Sequence, residues 1–342
     1  AELVQRSADP EANIILGTVT TPNAEEEICV TIIATELEQS EKDTDTRNSQ
    51  NTKVQVMGTA KPLKVENTYA EPMPYQYRNQ SVTKRKEENK KTAMASTTKI
   101  MTALVVCEQC NVLDRMRIPK EAVGIEGSSM YLQEGEVLTI QELLYGLMLS
   151  SGNDAAVALA IYCGGTVEGF AELMNDKARL LGLKGTHFEN PNGLDSPNHY
   201  STARDLAVLA SYAMDNPIFR QTVSTKTVSI GNRCLRNHNK LLWQVPGADG
   251  VKTGYTKAAG RILVSSAIRD GRRIVAVTIH DPNDWQDHTA MLEQGFSRYA
   301  LKQVVSRGDV LGRVEVLECG QVDLLAGEDF VYSLAEDESL TI

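Results

Sequence analysis

Hydrophobic side chains begin to recur at helical spacing near residue 93. After a Ser/Thr-rich start, Ile100, Ala103, Leu104 and Cys107 fall on one face, and this pattern predicts an amphipathic helix. The same periodicity predicts further helices downstream, over residues 141–149, 154–163, 169–183 and 203–214.

The first two of these downstream helices carry end signals. Thr139 and Glu142 form a capping box, in which the Thr hydroxyl accepts a backbone N–H and the Glu carboxylate reaches back. Gly164 and Gly165 follow the second helix and predict its end, because glycine takes the left-handed conformation that stops a helix. The polar residues between the two helices therefore predict a sharp break.

From about residue 220 the pattern changes to strands. The apolar runs 261–268 and 272–279 flank Asp270-Gly271, and this dipeptide predicts a tight type I′ hairpin because it accepts positive φ values. Helices placed between sheet segments predict an α+β fold.

The two ends of the chain differ from its middle in their pattern of polar and apolar residues. The segment 35–55 is polar and shows neither helical nor strand periodicity, whereas the apolar run 28–34 is consistent with a strand. Near the C-terminus an amphipathic stretch lies at 287–301, and alternation in 309–318 predicts further strands.

The bulk composition narrows the function classes. The 342 residues are 42% hydrophobic and 23% charged, which is typical of a soluble protein of two domains. The net charge of −10 disfavours nucleic acid as a partner, because phosphate binding requires a basic surface. No apolar run reaches the length of a membrane span, and the chain opens at Ala1 without a basic and apolar leader. The sequence is thus interpreted as cytoplasmic or as a form that lacks its signal peptide.

Cysteine and histidine spacing indicates neither a metal site nor a cofactor. Cys107 and Cys110 form a CxxC pair, but no second pair completes a zinc site and the pair falls late in a predicted helix. Two small buried or half-buried side chains are the favoured interpretation, and redox activity is the alternative.

The pattern Ser-x-x-Lys occurs twice, at Ser81–Lys84 and at Ser96–Lys99. Ser96 lies where a helix begins and Lys99 follows one turn later, so the hydroxyl and the amine can meet. An apolar face partly desolvates Lys99 and favours its neutral form, as a base requires. The first copy lies in a solvated charge run, so the second copy is the candidate nucleophile and base.

Two further short motifs are each ambiguous alone. Ser151-Gly152-Asn153 lies at the break between two predicted helices and is either an ordinary turn or a device that aims a hydroxyl and an amide into a cleft. Lys252-Thr253-Gly254 is expected at or near a strand, where Gly254 lets a ligand backbone come close. A polar turn is the alternative interpretation.

The three motifs in this order change the interpretation. Over roughly residues 92–300 the chain resembles the serine penicillin-recognising enzymes. The segments that carry this resemblance are MASTTKIMTAL, HFENPNGLDSPNHYSTARDLA, NHNKLLW and GVKTGYT. Within that group it resembles the D-alanyl-D-alanine carboxypeptidases of the low-molecular-weight penicillin-binding proteins. The resemblance implies a β-lactamase/transpeptidase-like fold, a helical cluster inserted into an antiparallel sheet, with a partial β-rich C-terminal domain. The expected parts are an irregular or weakly ordered region 1–90, a penicillin-binding catalytic domain 91–300 and the start of a β-rich domain 301–342.

The resemblance also implies roles for individual residues. Ser96 would be the acylated nucleophile, Lys99 its base and Ser151 the relay of a proton to the departing D-alanine. Asn153 would hold the substrate amide, and Lys252 would supply positive charge. The remaining substrate-binding positions are Thr253, which would bind the substrate carboxylate, Gly254, and Tyr255, whose N–H would form the oxyanion hole with that of Ser96.

The implied partners are a peptidoglycan stem peptide ending in D-Ala-D-Ala and β-lactam antibiotics, with no cofactor. The implied location is extracytoplasmic in a bacterium, as a secreted protein, in the cell wall or at the outer face of the cytoplasmic membrane. Peripheral membrane association would need an anchor segment outside this chain.

The sequence differs from the family pattern at one place, and two alternative functions remain open. The family's apolar strand with an Asp-x-x-x-Gly turn, expected just before the first motif, is not found in residues 66–91. A β-lactamase on the same scaffold would need a carboxylate that activates water, for which Glu189 is the candidate. A penicillin-binding or peptidoglycan-binding module without turnover is the other alternative.

Overall fold

The computed structural model describes residues 14–18, 30–34, 87–316 and 320–335. The chain forms two compact units, residues 1–66 and 67–342. In the first unit, β1 (Ile14–Thr18) pairs antiparallel with β2 (Val30–Ala34), and β2 lies within the apolar run in which a strand was predicted. The predicted irregular segment 35–55 lies outside the described residues, as does the Ser81–Lys84 motif.

The second unit combines helices with antiparallel strands. Its helices are α1 (Lys99–Gln109), α2 (Ile140–Leu149), α3 (Asn153–Gly164), α4 (Val167–Leu180), α5 (Ala203–Ala213), α6 (Pro217–Ser224), α7 (Leu241–Gln244) and α8 (Asp284–Arg298). Its strands are β3 (Arg115–Arg117), β4 (Val137–Thr139), β5 (Thr227–Ile230), β6 (Arg233–Arg236), β7 (Ala248–Thr256), β8 (Gly260–Arg269), β9 (Arg272–Ile279), β10 (Tyr299–Val305), β11 (Val310–Val316), β12 (Gly320–Leu325) and β13 (Phe330–Ala335). A 3-10 turn, Ala95–Thr98, leads directly into α1.

The predicted helix ends are confirmed. Thr139 Oγ1 accepts the Glu142 N–H at 3.1 Å while the Glu142 carboxylate accepts the Thr139 N–H at 2.7 Å, so the capping box is complete. Helix α3 ends at Gly164 and is capped by Gly165, which has φ of +75°. The change to strands begins at Thr227 rather than near 220, because Asn216 caps the additional helix α6.

Helix α1 is buried on nearly every side rather than amphipathic. All its residues from Lys99 to Cys107 are buried, because α2, α3, α4 and α5 contact it. Ile100 and Leu104 have no exposed surface and lie in the main hydrophobic cluster of the unit. The helix that carries one predicted motif is therefore held rigidly by its neighbours.

Strands β7, β8 and β9 form an antiparallel sheet in that order. Asp270 and Gly271 have φ of 48° and 75°, which confirms the predicted type I′ hairpin between β8 and β9. The Lys252-Thr253-Gly254 motif lies inside β7, where Lys252 is paired with Val264 of β8. Helix α8 packs on β8 and β9, so one face of the sheet is covered.

The C-terminal part is β-rich, as predicted. The amphipathic stretch at 287–301 is mostly α8, but the chain enters β10 at Tyr299. Strand β10 pairs with β13, and β11 pairs with β12. Among the described helices, none has by itself the length and apolar character of a membrane span; α3 and α4, bent by 82° at their junction, meet those criteria only as a pair.

Candidate active site

The Ser96 hydroxyl and the Lys99 amine meet at the start of α1. Ser96 lies in the 3-10 turn, Lys99 is the first residue of the helix, and Lys99 Nζ donates to Ser96 Oγ at 3.0 Å. Ser96 is half-buried whereas Lys99 has no exposed surface. The hydroxyl can thus be reached from outside while the amine is shielded from water.

Two further oxygen atoms surround the Lys99 amine. Nζ donates to Asn153 Oδ1 at 2.7 Å and to the backbone carbonyl of Asn192 at 2.5 Å. Burial lowers the pKa of Lys99 well below its usual range, and the nearby charge of Lys252 lowers it further, against an opposing effect of Asp154. The neutral amine is consequently favoured.

The break between α2 and α3 places Asn153, the first residue of α3, against Lys99, with Ser151 two residues earlier. Ser151 is 5% exposed and has a left-handed backbone with φ of 59°, and Gly152 caps α3. Asn153 Nδ2 donates to the Glu126 carbonyl at 2.5 Å, so its Oδ1 is turned toward Lys99. A left-handed non-glycine residue costs roughly 1–3 kcal/mol and is often found where a side chain is aimed at a functional site.

The third motif reaches the site along β7. A Cβ added to Gly254 would lie 3.3 Å from the backbone nitrogen of Ser96, so this part of β7 runs directly against the 3-10 turn. Lys252 is 1% exposed, and burial lowers its pKa to about 7. Its Nζ donates to the Thr253 carbonyl at 3.0 Å. Thr253 is half-buried and Tyr255 is 68% exposed at the outer end of the motif.

All three motifs therefore line one place. Ser96, Lys99 and Asn153 are joined by hydrogen bonds, Gly254 contacts the Ser96 backbone, and Lys252 is near enough to shift the pKa of Lys99. Ser151 is buried in the same turn as Asn153, two residues earlier.

Sequence reasoning missed the carboxylate of Asp154. It is 1% exposed and accepts the backbone N–H groups of Met130, Leu132 and Ala155 and the hydroxyl of Ser129. These bonds tie the 129–132 loop to the start of α3, next to Asn153. The residue stands directly after the Ser-x-Asn motif, and this position was the only signal of its role in the sequence.

The loop at 190–193 was also missed as part of the site. Its Asn192 carbonyl is a Lys99 partner, and a backbone acceptor leaves no signature in residue type. Gly193 has φ of +91°, and an added Cβ would overlap the carbonyl oxygen of Ala95. The loop is further fixed where Pro191 O accepts the Thr102 hydroxyl at 2.6 Å.

The carboxylate of Glu189 is bound by residues of its own loop. Its carboxylate accepts hydrogen bonds from the Ser196 hydroxyl and from the side chain and backbone of Asn198. The Ser196 hydrogen bond lowers the pKa of Glu189, so the group is a bound carboxylate in these contacts. This arrangement does not favour Glu189 as an activator of water at Ser96.

Sequence comparison with known proteins finds relatives in one family. The sequence profile of the D-alanyl-D-alanine carboxypeptidase family matches residues 73–283, more than half of the chain. The chain is 36% identical over 244 residues to D-alanyl-D-alanine carboxypeptidase DacF of Bacillus subtilis, a match that spans 68% of this chain and 63% of that protein, slightly under two thirds of its length. It is 34% identical over 269 residues to D-alanyl-D-alanine carboxypeptidase DacD of Escherichia coli, spanning 73% of this chain and 69% of the relative.

Solved structures agree on the fold. Penicillin binding protein 5 from Haemophilus influenzae superposes with a TM-score of 0.70 at 29% identity, covering 76% of this chain and 80% of that one. The predicted α+β fold with helices inserted between antiparallel strands is thereby confirmed. The chain therefore belongs to the D-alanyl-D-alanine carboxypeptidase family of serine hydrolases, within the penicillin-binding proteins.

Proposed function

We propose that this chain removes the terminal D-alanine from peptidoglycan stem peptides through an acyl-enzyme on Ser96, outside the cytoplasm. The observation that carries the proposal is the buried Lys99 amine, 3.0 Å from Ser96 Oγ, in surroundings that favour its neutral form. A serine hydroxyl is a weak nucleophile until a neighbouring base takes its proton.

The partners of Lys99 set the direction of the proton transfer. A neutral amine has two N–H groups and one lone pair, and it lies among three oxygen atoms. The carbonyl oxygens of Asn153 and Asn192 can only accept, so they take the two N–H groups. The lone pair then faces Ser96, whose hydroxyl can donate. Loss of a proton from Lys99 thus makes Ser96 the donor in the bond to its own base.

In the acylation step, Ser96 Oγ bonds to the carbonyl carbon between the two D-alanines and its proton passes to Lys99. The developing oxyanion would be bound by the backbone N–H groups of Ser96 and Tyr255, since β7 runs against the 3-10 turn at Gly254. Such donors contribute roughly 3–4 kcal/mol each to the transition state.

The leaving D-alanine needs a proton and its carboxylate needs a cation. Ser151 would pass a proton from Lys99 to the amine, and Asn153 would hold the peptide amide through its second N–H. Lys252 and Thr253 would bind the terminal carboxylate, and that negative charge would raise the pKa of Lys252 from about 7. Water then cleaves the Ser96 ester, and β-lactams would inhibit because their acyl-enzyme resists this step.

The proposal is tested by the D-alanine released from a D-Ala-D-Ala peptide and by labelling with a fluorescent penicillin. Lys99→Met removes the amine and keeps an unbranched side chain that is one atom shorter, and it should lower both rates by at least about 1000-fold. Lys84→Met, at the other Ser-x-x-Lys copy, is the matched control and should change neither. Unchanged labelling of the Lys99 variant would refute the role of this residue.

The same assays separate the two alternatives. A β-lactamase would lose the penicilloyl adduct within milliseconds, and Glu189→Gln would then lengthen its lifetime. A binding module would take up penicillin without releasing D-alanine. The Glu189 contacts favour the carboxypeptidase, because the carboxylate is bound within the 189–198 loop.

A further inference from the structure

Helices α1 and α3 both begin at the candidate active site, and each has a cysteine at or next to its C-terminal end. Lys99 opens α1 and Asn153 opens α3, and the two side chains are joined at 2.7 Å. Cys110 is the residue that caps the end of α1, and Cys163 lies in the last turn of α3. At 1.5 Å per residue, Cys110 lies about 16 Å from Lys99 along the axis of α1.

Cys110 and Cys163 both pack against the main hydrophobic cluster, where α1 contacts α3. The Cys163 thiol donates to Oε1 of Gln109, the residue before Cys110, at 3.8 Å, and a side-chain hydrogen bond between the two cysteines is the largest influence on the pKa of each. Both cysteines are half-buried, whereas Gln109 beside them is exposed. A small reagent can therefore reach a pair of sulfur atoms that the fold already holds together.

The three cysteines of this region differ in reactivity. The hydrogen bond from Cys110 lowers the pKa of Cys163, while the same contact and burial raise the pKa of Cys110. Burial raises the pKa of Cys107 to about 12. Because the thiolate is the nucleophile, the lowered pKa of Cys163 favours this residue over Cys107 and Cys110 as the attacking group.

We propose that Cys110 and Cys163 form a disulfide bond when the protein meets an external disulfide, either a small molecule or a thiol oxidoreductase. The Cys163 thiolate attacks one sulfur of that reagent, breaks its S–S bond and releases the other half as a thiolate. Cys110 then loses its proton and displaces the first half. The two protein thiols lose two electrons and two protons, and the reagent is reduced to two thiols.

The bond would join α1 and α3 at the ends opposite to their Lys99–Asn153 contact. It closes the loop 110–163, which contains Ser151, so the segment carrying the second motif is tied to the helix carrying the first. Closing a loop of this length restricts the unfolded chain. We expect the melting temperature of the oxidised protein to rise by about 5–15 °C.

The test is oxidation of the folded full-length chain with glutathione disulfide, followed by peptide mapping without reduction and by thermal unfolding. The expected product is a cross-linked peptide containing Cys110 and Cys163 in most molecules. Cys110→Ser and Cys163→Ser should each lose both the cross-link and the rise in melting temperature. Cys234→Ser, which removes an exposed cysteine on β6, is the control and should keep both.

Three outcomes would overturn the proposal. One is a folded protein in which Cys110 and Cys163 both remain alkylatable after oxidation. Another is a bond between Cys107 and Cys110. The third is an equal rise in melting temperature in the Cys163→Ser variant. These readouts do not depend on D-alanine release, so they stand apart from the proposed activity.

Discussion

Replacement of Asp154 by asparagine tests how the site is held in place. The change turns one carboxylate oxygen into an NH2 group, so the Leu132 N–H, bonded to Oδ2 at 3.0 Å, would face a donor. An unpaired buried donor costs about 1–3 kcal/mol, and a neutral acceptor weakens each remaining bond by about 1 kcal/mol. We therefore expect the free energy of unfolding of Asp154→Asn to fall by about 3–5 kcal/mol.

The same variant should change the pH dependence of catalysis. Burial and the charge of Lys252 lower the pKa of Lys99, and the carboxylate of Asp154 raises it. Without that negative charge the pKa of Lys99 falls further. The acid limb of kcat/KM, which reports deprotonation of the base, should then move to lower pH.

Asp205→Asn is the matched control. Asp205 is 4% exposed and its Oδ2 accepts the Gly185 N–H at 2.7 Å and the Thr186 hydroxyl at 2.8 Å. The asparagine oxygen can keep both bonds, so we expect a loss of only about 1–2 kcal/mol and no movement of the acid limb. Urea unfolding and D-alanine release between pH 4 and 9 measure both quantities. The reasoning would be refuted if the free energy of unfolding of Asp154→Asn fell by less than about 0.5 kcal/mol, or if the acid limb of kcat/KM lay at the same pH in the two variants.

Three further outcomes follow from other contacts. Gly193→Ala should lower the free energy of unfolding by at least about 3 kcal/mol and slow penicillin labelling, because φ of +91° is unfavourable and the new Cβ would overlap a backbone carbonyl. Gly308→Ala has the same φ with open space around it, so it should cost about 1 kcal/mol and leave labelling intact; equal losses would contradict the overlap. The kcat/KM profile should be bell-shaped with its alkaline limb near pH 7, because burial lowers the pKa of Lys252 to about 7 and, in the proposed mechanism, only its ammonium form binds the substrate carboxylate. A rate that stays constant to pH 9 would exclude this role of Lys252. The free energy of unfolding should fall as pH drops from 6.5 to 4, by about 1.4 kcal/mol per pH unit for each of His199 and His288. Burial lowers the pKa values of these two residues to about 4 and about 3, so in this range only the unfolded state takes up the protons. Urea midpoints at pH 7, 6 and 5 measure this slope, and His288→Gln should remove roughly half of it; a flat profile would contradict it.

Features fixed by neighbours in the chain were predictable from the sequence. The capping box at Thr139 and the hairpin at Asp270-Gly271 depend on groups at most a few residues apart, and both are present. The Ser96–Lys99 contact is also local, since the two residues lie one turn apart. The cap and the hairpin follow from residue type and spacing alone, whereas the choice of Ser96–Lys99 over Ser81–Lys84 also depended on the predicted helix start and its apolar face.

Features made by distant segments were not predictable from periodicity. The Asn192 carbonyl that accepts from Lys99 lies 93 positions away, and any residue type supplies a carbonyl. The burial of α1 on all sides, where an amphipathic helix was predicted, also depends on which helices surround it. The alternation rule could place Lys252 on one face of a strand, but the register that brings Gly254 against Ser96 is set by the assembled unit.

The placement of the motifs has a consequence for folding. The contacts of Lys99, the proposed base, bridge 54 and 93 positions, and β7 supplies a third segment from still further along the chain. Bringing such segments together requires most of the domain to be assembled first. Covalent labelling by a β-lactam would consequently report on completed folding. A partly folded chain would contain all the proposed catalytic residues and yet remain unlabelled.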